Sequence, residues 1–299
     1  MCSRFLEMCV ARRLGGLPRA VIFGVLGLLA VALGACAHQP VDEAASGATE
    51  LRVCADPDNL PYSKEDGSGF ENRIAQVLAS DLHLRLTYAW LPQRRGFVRK
   101  TVGAGLCDVF IGVPDGFERL LLTRPYYRSS YVSVQRAADP PLEGFEPRAL
   151  SQRRIGVQLI GDDLAATPPA YALARAGATD NVTGYTVYGD GPASERMVND
   201  IAAGRIDVAL GWGPQLAYFA TRAAVPLTVE RARPPAGSAL PFEFSVAVGV
   251  NRAKPALRDE LQVALDRRHA EIDAILADYN VVRVDGPRAV SSAARESAR

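Results

Sequence analysis

The pattern that most restricts the fold is an alternation of short apolar runs with helical periodicities, and it occurs twice. In the first set, residues 51–55, 84–90, 108–113 and 131–135 read as strands, and 71–82 and 95–104 as helices. On 71–82, Ile74, Val77 and Leu78 share one face, with Phe70 just ahead. The second set has strands over 155–158, 183–188, 207–210 and 227–231, and helices over 164–176, 193–203 and 214–222. A strand over 244–250 and the longest helical pattern, 255–279, close the series. Leu257, Leu261, Leu265, Ile272, Ile275, Leu276 and Tyr279 form the apolar side of that last pattern. Strands alternating with helices predict an α/β fold of mainly parallel sheets flanked by helices.

Two Pro-rich stretches, 138–147 and 234–241, read as two crossings at a hinge between two lobes. Lobe 1 is then 51–137 plus 240–285, and lobe 2 is 138–239. The terminal strand–helix unit is too small to stand alone, so it is returned to lobe 1.

Residues 1–35 read as a lipoprotein signal peptide. Arg12, Arg13 and Arg19 form a basic region, and an apolar run from Ala20 to Leu33 follows. That run is shorter than the ~20 residues a bilayer span needs. It ends in Leu33-Gly34-Ala35-Cys36, which resembles a lipobox, so Cys36 is the expected lipidation site. Residues 36–50 are small and polar and read as a tether, and 286–299 as a disordered tail. The expected location is the periplasm of a Gram-negative bacterium, with the chain held to a membrane by its lipid. Of five cysteines, Cys54 and Cys107 then remain in an oxidising compartment. A leftover pair suggests a disulfide. Their places on neighbouring parallel strands argue against one, because a bridge needs Cα atoms within about 7 Å. Both readings stand.

Ligands of open α/β sheets bind beyond the carboxyl ends of strands. The loops there carry Asp56, Asn59, Tyr62, Arg94, Arg95, Phe97, Phe117 and Arg119 in lobe 1, and Asp162, Asp190 and Trp212 in lobe 2. Tyr62, Phe97, Phe117 and Trp212 offer aromatic faces, or else simple core packing. Arg94 and Arg95 suit an anion, or form a solvated pair. No serine lies in a nucleophile elbow, the three histidines are far apart, and no zinc spacing, P-loop or dinucleotide fingerprint occurs. The reading is therefore a binding protein that is not an enzyme, with no metal and no cofactor. A net charge of +1 gives no case for nucleic acid as partner.

Gly69-Phe70-Glu71-Asn72, Gly105-Leu106-Cys107-Asp108-Val109, Pro125-Tyr126 and Gly204-Arg205-Ile206-Asp207-Val208 resemble the extracellular solute-binding family of ABC importers, with its type II periplasmic binding fold. A narrower resemblance rests on Cys54-Ala55-Asp56-Pro57, Asn59-Leu60-Pro61, Pro92-Gln93-Arg94-Arg95-Gly96-Phe97-Val98, Gly112-Val113-Pro114, Arg124-Pro125-Tyr126-Tyr127-Arg128-Ser129 and Trp212-Gly213-Pro214. These look like the quinoprotein dehydrogenase-associated binding proteins, the J proteins (MoxJ/XoxJ type) of methanol dehydrogenase gene clusters. That resemblance implies an accessory that matures or activates a pyrroloquinoline quinone (PQQ)-dependent alcohol dehydrogenase, including its apo form, with its cytochrome c as a further partner. The alternative is the receptor lipoprotein of an ABC permease for a small solute other than an amino acid. Amino-acid binders hold the ligand ammonium with an acid where this chain has Gly211-Trp212-Gly213. Where they place small hydroxyl residues for the carboxylate, this chain has Ile160-Gly161-Asp162-Asp163, which repels an anion. Their carboxylate-clamping arginine falls roughly at Arg119, in a loop that differs.

The anchor has a direct test. Cells expressing the protein and fed labelled fatty acid are expected to label it, and Cys36→Ser to abolish both labelling and cleavage. An unlabelled wild type removes the anchor.

Overall fold

The structure is a computed structural model that describes residues 49–160, 165–186 and 191–284. The expected signal segment, Cys36, nearly all of the tether and the tail lie outside the described residues, as do Asp162 and Asp190.

The chain opens with β1 (Glu50–Ala55), two short strands β2 (Asp58–Asn59) and β3 (Ser63–Lys64), and α1 (Phe70–Asp81). Next come β4 (Arg85–Trp90), α2 (Phe97–Lys100), β5 (Val109–Pro114), β6 (Leu121–Leu122) and the long β7 (Tyr127–Arg136). The middle holds α3 (Pro147–Leu150), β8 (Ile155–Ile160), β9 (Ala165–Ala166), α4 (Pro168–Arg175), β10 (Val182–Tyr185), α5 (Ala193–Ala202), β11 (Val208–Trp212), α6 (Gly213–Ala220) and β12 (Leu227–Arg231). The series ends with β13 (Glu243–Val250), α7 (Pro255–Arg267) and α8 (His269–Asp278).

The main strands follow the order β10-β8-β11-β7-β13-β5-β1-β4. β1 lies parallel to β4 and β5, and β8 parallel to β10 and β11. Between these two parallel groups the pairing is antiparallel. Tyr127–Ser130 of β7 pairs with β13, while the next residues pair with β11 and β12. The sheet therefore passes from one group to the other inside β7, ahead of the Pro-rich stretch 138–147. β13 returns to the first group through β5. The mixed character centres on β7, which runs antiparallel to β11, β12 and β13.

Each group is covered on both faces, as buried parallel strands require. In the first group, Val53, Val109, Ile111 and Val248 pack with Phe70, Ile74, Leu78, Leu261 and Leu276 under α1, α7 and α8. Cys54, Phe97, Phe110, Val113 and Leu120 fill the other face. In the second group, Met197, Ile201 and Leu216 cover one face, and Leu150, Leu173 and Phe242 the other.

Two expected helices are divided. The periodicity over 95–104 is bounded by left-handed Gly96 (φ 82°) and Gly105 (φ 71°), and yields only α2 and a 3-10 turn over Val102–Ala104. The run over 255–279 breaks at Arg268, whose guanidinium reaches Asp81 of α1 (3.6 Å) and also pairs with Glu271.

Cys54 and Cys107 are joined by a disulfide, their Cα atoms 5.4 Å apart. The sequence argument for a wide separation fails on register. Val53 pairs with Val109, so the entry to β5 lies beside the end of β1 and not along its full length. Asp108, 2% exposed, fixes that register: Arg52 donates two hydrogen bonds of 2.8 Å to its carboxylate, and Lys254 lies 3.1 Å away. Burial alone would raise the Asp108 carboxyl pKa, but these cations hold it below the usual range.

The bond closes a loop over a separation of 53 residues. Closing such a loop in the unfolded chain is worth about 4 kcal/mol in the chain-entropy account. The double variant C54A/C107A is expected to lose roughly that much against oxidised wild type in urea titration, and reduced wild type to lose a similar amount. An unshifted midpoint would mean that native contacts alone hold β1 to β5.

Candidate functional site

The motif Gly69-Phe70-Glu71-Asn72 folds into the start of α1, and each residue has a separate task. A Cβ on Gly69 would lie 2.1 Å from the Tyr62 carbonyl oxygen, so the 61–62 backbone can cross there only over glycine. That crossing is hydrogen-bonded: Phe70 N–H donates to Pro61 O (2.8 Å) and Glu71 N–H to Tyr62 O (2.8 Å). The Asn72 Oδ1 accepts from the amides of Gly69 (3.1 Å) and Lys64 (2.9 Å), which caps the helix. Phe70 is fully buried and meets Tyr62, Tyr127 and Tyr279 edge-on or tilted, with ring centroids 5.2–6.4 Å apart.

Glu71 is 8% exposed and takes part in none of the side-chain hydrogen bonds among the described residues. Burial pushes its carboxyl up to about 8. The void beside it, between Val53, Ala55, Ser63, Tyr88 and Ile111, is too small for a water molecule. β5 carries a bulge at this point: Ile111 and Gly112 together oppose Val248 of β13. The bulge turns Gly112 toward α1, where a Cβ would fall 1.9 Å from Glu71 Oε1.

Next to this acid, aromatic rings from both sheet groups meet. The Trp212 ring packs on Tyr131 (5.3 Å between centroids) and Phe244 (5.9 Å). It touches the core clusters of both groups. Burial drives the Tyr62 hydroxyl pKa well above the usual value, helped by Tyr127, Glu71 and Tyr131. Burial likewise pushes the Tyr131 hydroxyl up to about 12. Tyr62 and Trp212, placed on opposite loops by the sequence, both pack against the first group's core cluster. Tyr131, Phe244 and Glu71 join them, residues that sequence reasoning left in strands and a motif.

The other predicted residues scatter around this centre. Asp56 organises its own loop, accepting from the amides of Asp58 (2.9 Å) and Gln93 (2.6 Å). Asn59 donates to the Gln93 side chain (3.1 Å), which links the first two loops. Arg94, Arg95 and Arg119 are exposed. Phe97 is a correction: at 5% exposure it packs tilted against Phe110 (5.1 Å between centroids) inside a core cluster and offers no face to a cleft. Phe117 is half-buried against that same cluster. A groove of about 740 Å³ runs along β7 and β12, with Leu142, Phe145, Val229 and Arg233 in its wall, and none of the predicted site residues lines it. Among the described residues no group of three or more His, Cys, Asp or Glu is arranged to hold a metal, and no helix is long and apolar enough to cross a membrane.

No protein-family model matches the chain. MoxJ of Paracoccus denitrificans is 34% identical over 266 residues, which is 83% of this chain and 94% of that protein. The chain belongs to the MoxJ family. A second MoxJ, from Methylorubrum extorquens, is 31% identical over 256 residues, 77% of this chain and 80% of that protein. Among solved structures, the periplasmic binding protein XoxJ from Methylobacterium extorquens AM1 matches 79% of this chain and all of its own, with a TM-score of 0.66 at 34% identity. MxaJ from Methlophaga aminisulfidivorans MPT shares the fold, with a TM-score of 0.67 at 23% identity over 78% of this chain and all of its own. The MoxJ-family chain therefore has the two-lobed type II periplasmic binding fold.

Glu71 makes stability depend on pH. Its folded pKa of about 8 lies above the 4.5 of a free glutamate, so the fold holds the proton more tightly than the unfolded chain. The stabilisation is complete below about pH 4.5 and is lost as pH rises through about 8, by at most ~5 kcal/mol. Urea midpoints across that range are expected to fall for wild type and to stay flatter for Glu71→Gln. Equal slopes would assign the dependence to other groups.

Proposed function

We propose that this MoxJ-family chain is a periplasmic accessory of a PQQ-dependent alcohol dehydrogenase of the methanol-oxidising kind, acting in its maturation or activation and not itself an enzyme. The single observation that carries the reading is Trp212. At the place where an amino-acid binder keeps an acid for the ligand ammonium, this chain has an indole packed on Tyr131 and Phe244. Rings in contact with one another leave no carboxylate for a solute cation to pair with. Burying such a cation unpaired costs several kcal/mol. The family membership adds to this, since the J proteins are companions of quinoprotein dehydrogenases.

The lobes are taken as 51–137 with 240–285 and 138–239, hinged where β7 and the 234–241 stretch pass between them, and lipidated Cys36 holds them to the membrane. The partner face is taken as the rim of Tyr62, Trp212 and Phe117 with Asp56, Asn59, Arg94, Arg95 and Arg119, and Asp162 and Asp190 are assigned to it from the sequence alone. Tyr and Trp at the centre of an interface commonly carry about 2 kcal/mol or more each. Closure on a loop of the dehydrogenase then replaces closure on a solute.

Two measurements separate this from an importer receptor. Trp212→Ala is expected to weaken co-purification with the dehydrogenase and lower alcohol oxidation in cells, with export and far-UV circular dichroism unchanged. Full dehydrogenase activity after deletion of the gene would end the accessory role. Calorimetric titration with the common amino acids is expected to show nothing tighter than about 1 mM, roughly −4 kcal/mol. Micromolar binding of any of them would restore the importer reading.

A further inference from the structure

The Pro-rich stretches 138–147 and 234–241 account for two crossings between the sheet groups, and the described residues contain a third. Val281 and Val282 are adjacent, yet Val281 is buried in the core under α1, α7 and α8, and Val282 in the core under α5 and α6. The chain therefore leaves the first group at the end of α8 and continues on the second. A left-handed turn makes the step. Asn280 has a φ of 54°, its N–H donates to Ala277 O (2.9 Å), and the Val281 N–H donates to Leu276 O (2.9 Å). These two bonds satisfy the last carbonyls of the helix, and asparagine is one of the few residues that takes this conformation readily.

The crossing segment is held from both sides. Toward the first group, the Tyr279 ring meets Phe70 edge-on (5.9 Å) and its hydroxyl donates to Ser68 O (2.6 Å). Arg73 lies over the same ring (5.8 Å) and pairs with Asp278 (3.0 Å), while Arg283 pairs with Asp273 of α8 (2.6 Å). Toward the second group, Tyr279 stacks on Tyr218 of α6, with centroids 5.8 Å apart and 15° between the planes. Arg222 lies over the Tyr218 ring (3.7 Å), and the Asn280 Nδ2 donates to Thr221 Oγ1 (3.2 Å). A Cβ on Gly213, at the head of α6, would lie 3.1 Å from the Val282 Cβ, and Arg231 of β12 donates to Val284 O (3.3 Å).

All three crossings border one groove. Leu142 and Phe145 come from the first, Arg233 and Pro234 from the second, and Val282 and Arg283 from the third. The groove is open over about 740 Å³, so close packing does not block rotation of the groups on that side. Two coil crossings can absorb such a rotation in a few backbone dihedrals. The third cannot follow without losing the ring stack or the seat of Val282. We propose that residues 279–284 are a strap that sets the angle between the two sheet groups: intact, it holds them as they stand here, and released from α6, it lets them turn about the other two crossings. The strap belongs to the isolated protein and stands whether or not a dehydrogenase is the partner.

The test is a distance between the groups. Lys100 on α2 and Arg175 at the end of α4 are exposed, one on each group. A ketone-bearing amino acid at each carries a nitroxide without using the cysteines, and pulsed electron paramagnetic resonance reads the separation in the mature chain. The expected result is one narrow distribution for the otherwise unchanged protein. Chain termination after Asn280, which removes the seat of Val282, is expected to broaden the distribution and shift it by more than about 2 Å, with far-UV circular dichroism unchanged. Tyr218→Leu combined with Thr221→Ala cuts the tie from the α6 side alone and is expected to act in the same direction. Tyr279→Phe keeps the stack and is expected to retain the narrow distribution. If the shortened chain loses helix signal, the Tyr218/Thr221 variant decides. Unchanged distances in that variant overturn the strap, and so does a broad distribution in the protein with the strap intact.

Discussion

Ser130 and Tyr131 are adjacent residues of one strand, yet they pair with different parts of the protein. Ser130 faces Glu243 of β13, and Tyr131 faces Trp212 of β11. The strand β7 is therefore common property, and both parallel groups are hung from it. This arrangement leaves the backbone at the switch point poorly shielded unless side chains close over it. The Ser129 hydroxyl donates to Val282 O, and Gly213 packs so tightly on the Ser130 carbonyl that a Cβ would lie 2.6 Å from it. Val284 N–H donates to Arg128 O (2.9 Å), and Arg231 Nη1 donates to Val284 O (3.3 Å). The segment after α8 is thus laced across the joint, touching β7, β12 and the start of α6.

A joint of this kind also decides where aromatic residues are useful. Strand ends that meet from two groups leave a gap too irregular for aliphatic side chains, and large flat rings in edge-to-face contact fill it. Tyr131 meets Trp212, Phe242 and Phe244 in this way. Farther along, Tyr279 stacks on Tyr218 of α6 (5.8 Å) while its hydroxyl donates to Ser68 O (2.6 Å), a second aromatic link between the groups. The rings are therefore structural and surface features together, since several are only half-buried. Trp212 stands in both roles, a packing residue on one side and a face on the other.

Much of this fold was legible as period and punctuation. The buried strands Leu51 to Ala55 and Phe244 to Val250, and the helices starting at Phe70 and Ala193, coincide with the apolar runs that announce them. What the sequence hid was pairing. Nothing local in Tyr131 to Gln135 says that the strand begins at Tyr127 and changes partners midway. The disulfide was obscured for the same reason, because a one-residue statement, Val53 opposite Val109, decides whether Cys54 and Cys107 are neighbours. Phe97 misled because an aromatic after a strand has the same one-letter signature whether it lines a cleft or fills a core. Glu71 was visible in a motif but silent as chemistry. Only the bulge in β5, which aims Gly112 at its carboxyl, shows that this acid is buried and not solvated on the first turn of a helix.

That last point separates two uses of one fold. A solute receptor keeps a void at the joint and lines it with polar groups whose hydrogen bonds are completed by the ligand, so closure waits for the solute. Here the joint is already filled by Tyr131, Trp212 and Phe244, and the void beside Glu71 cannot admit water. The packing at the joint is thus completed by the chain's own rings. The half-buried Tyr62 and Trp212 and the exposed Arg94 and Arg95 can be reached from outside without entry into a cavity.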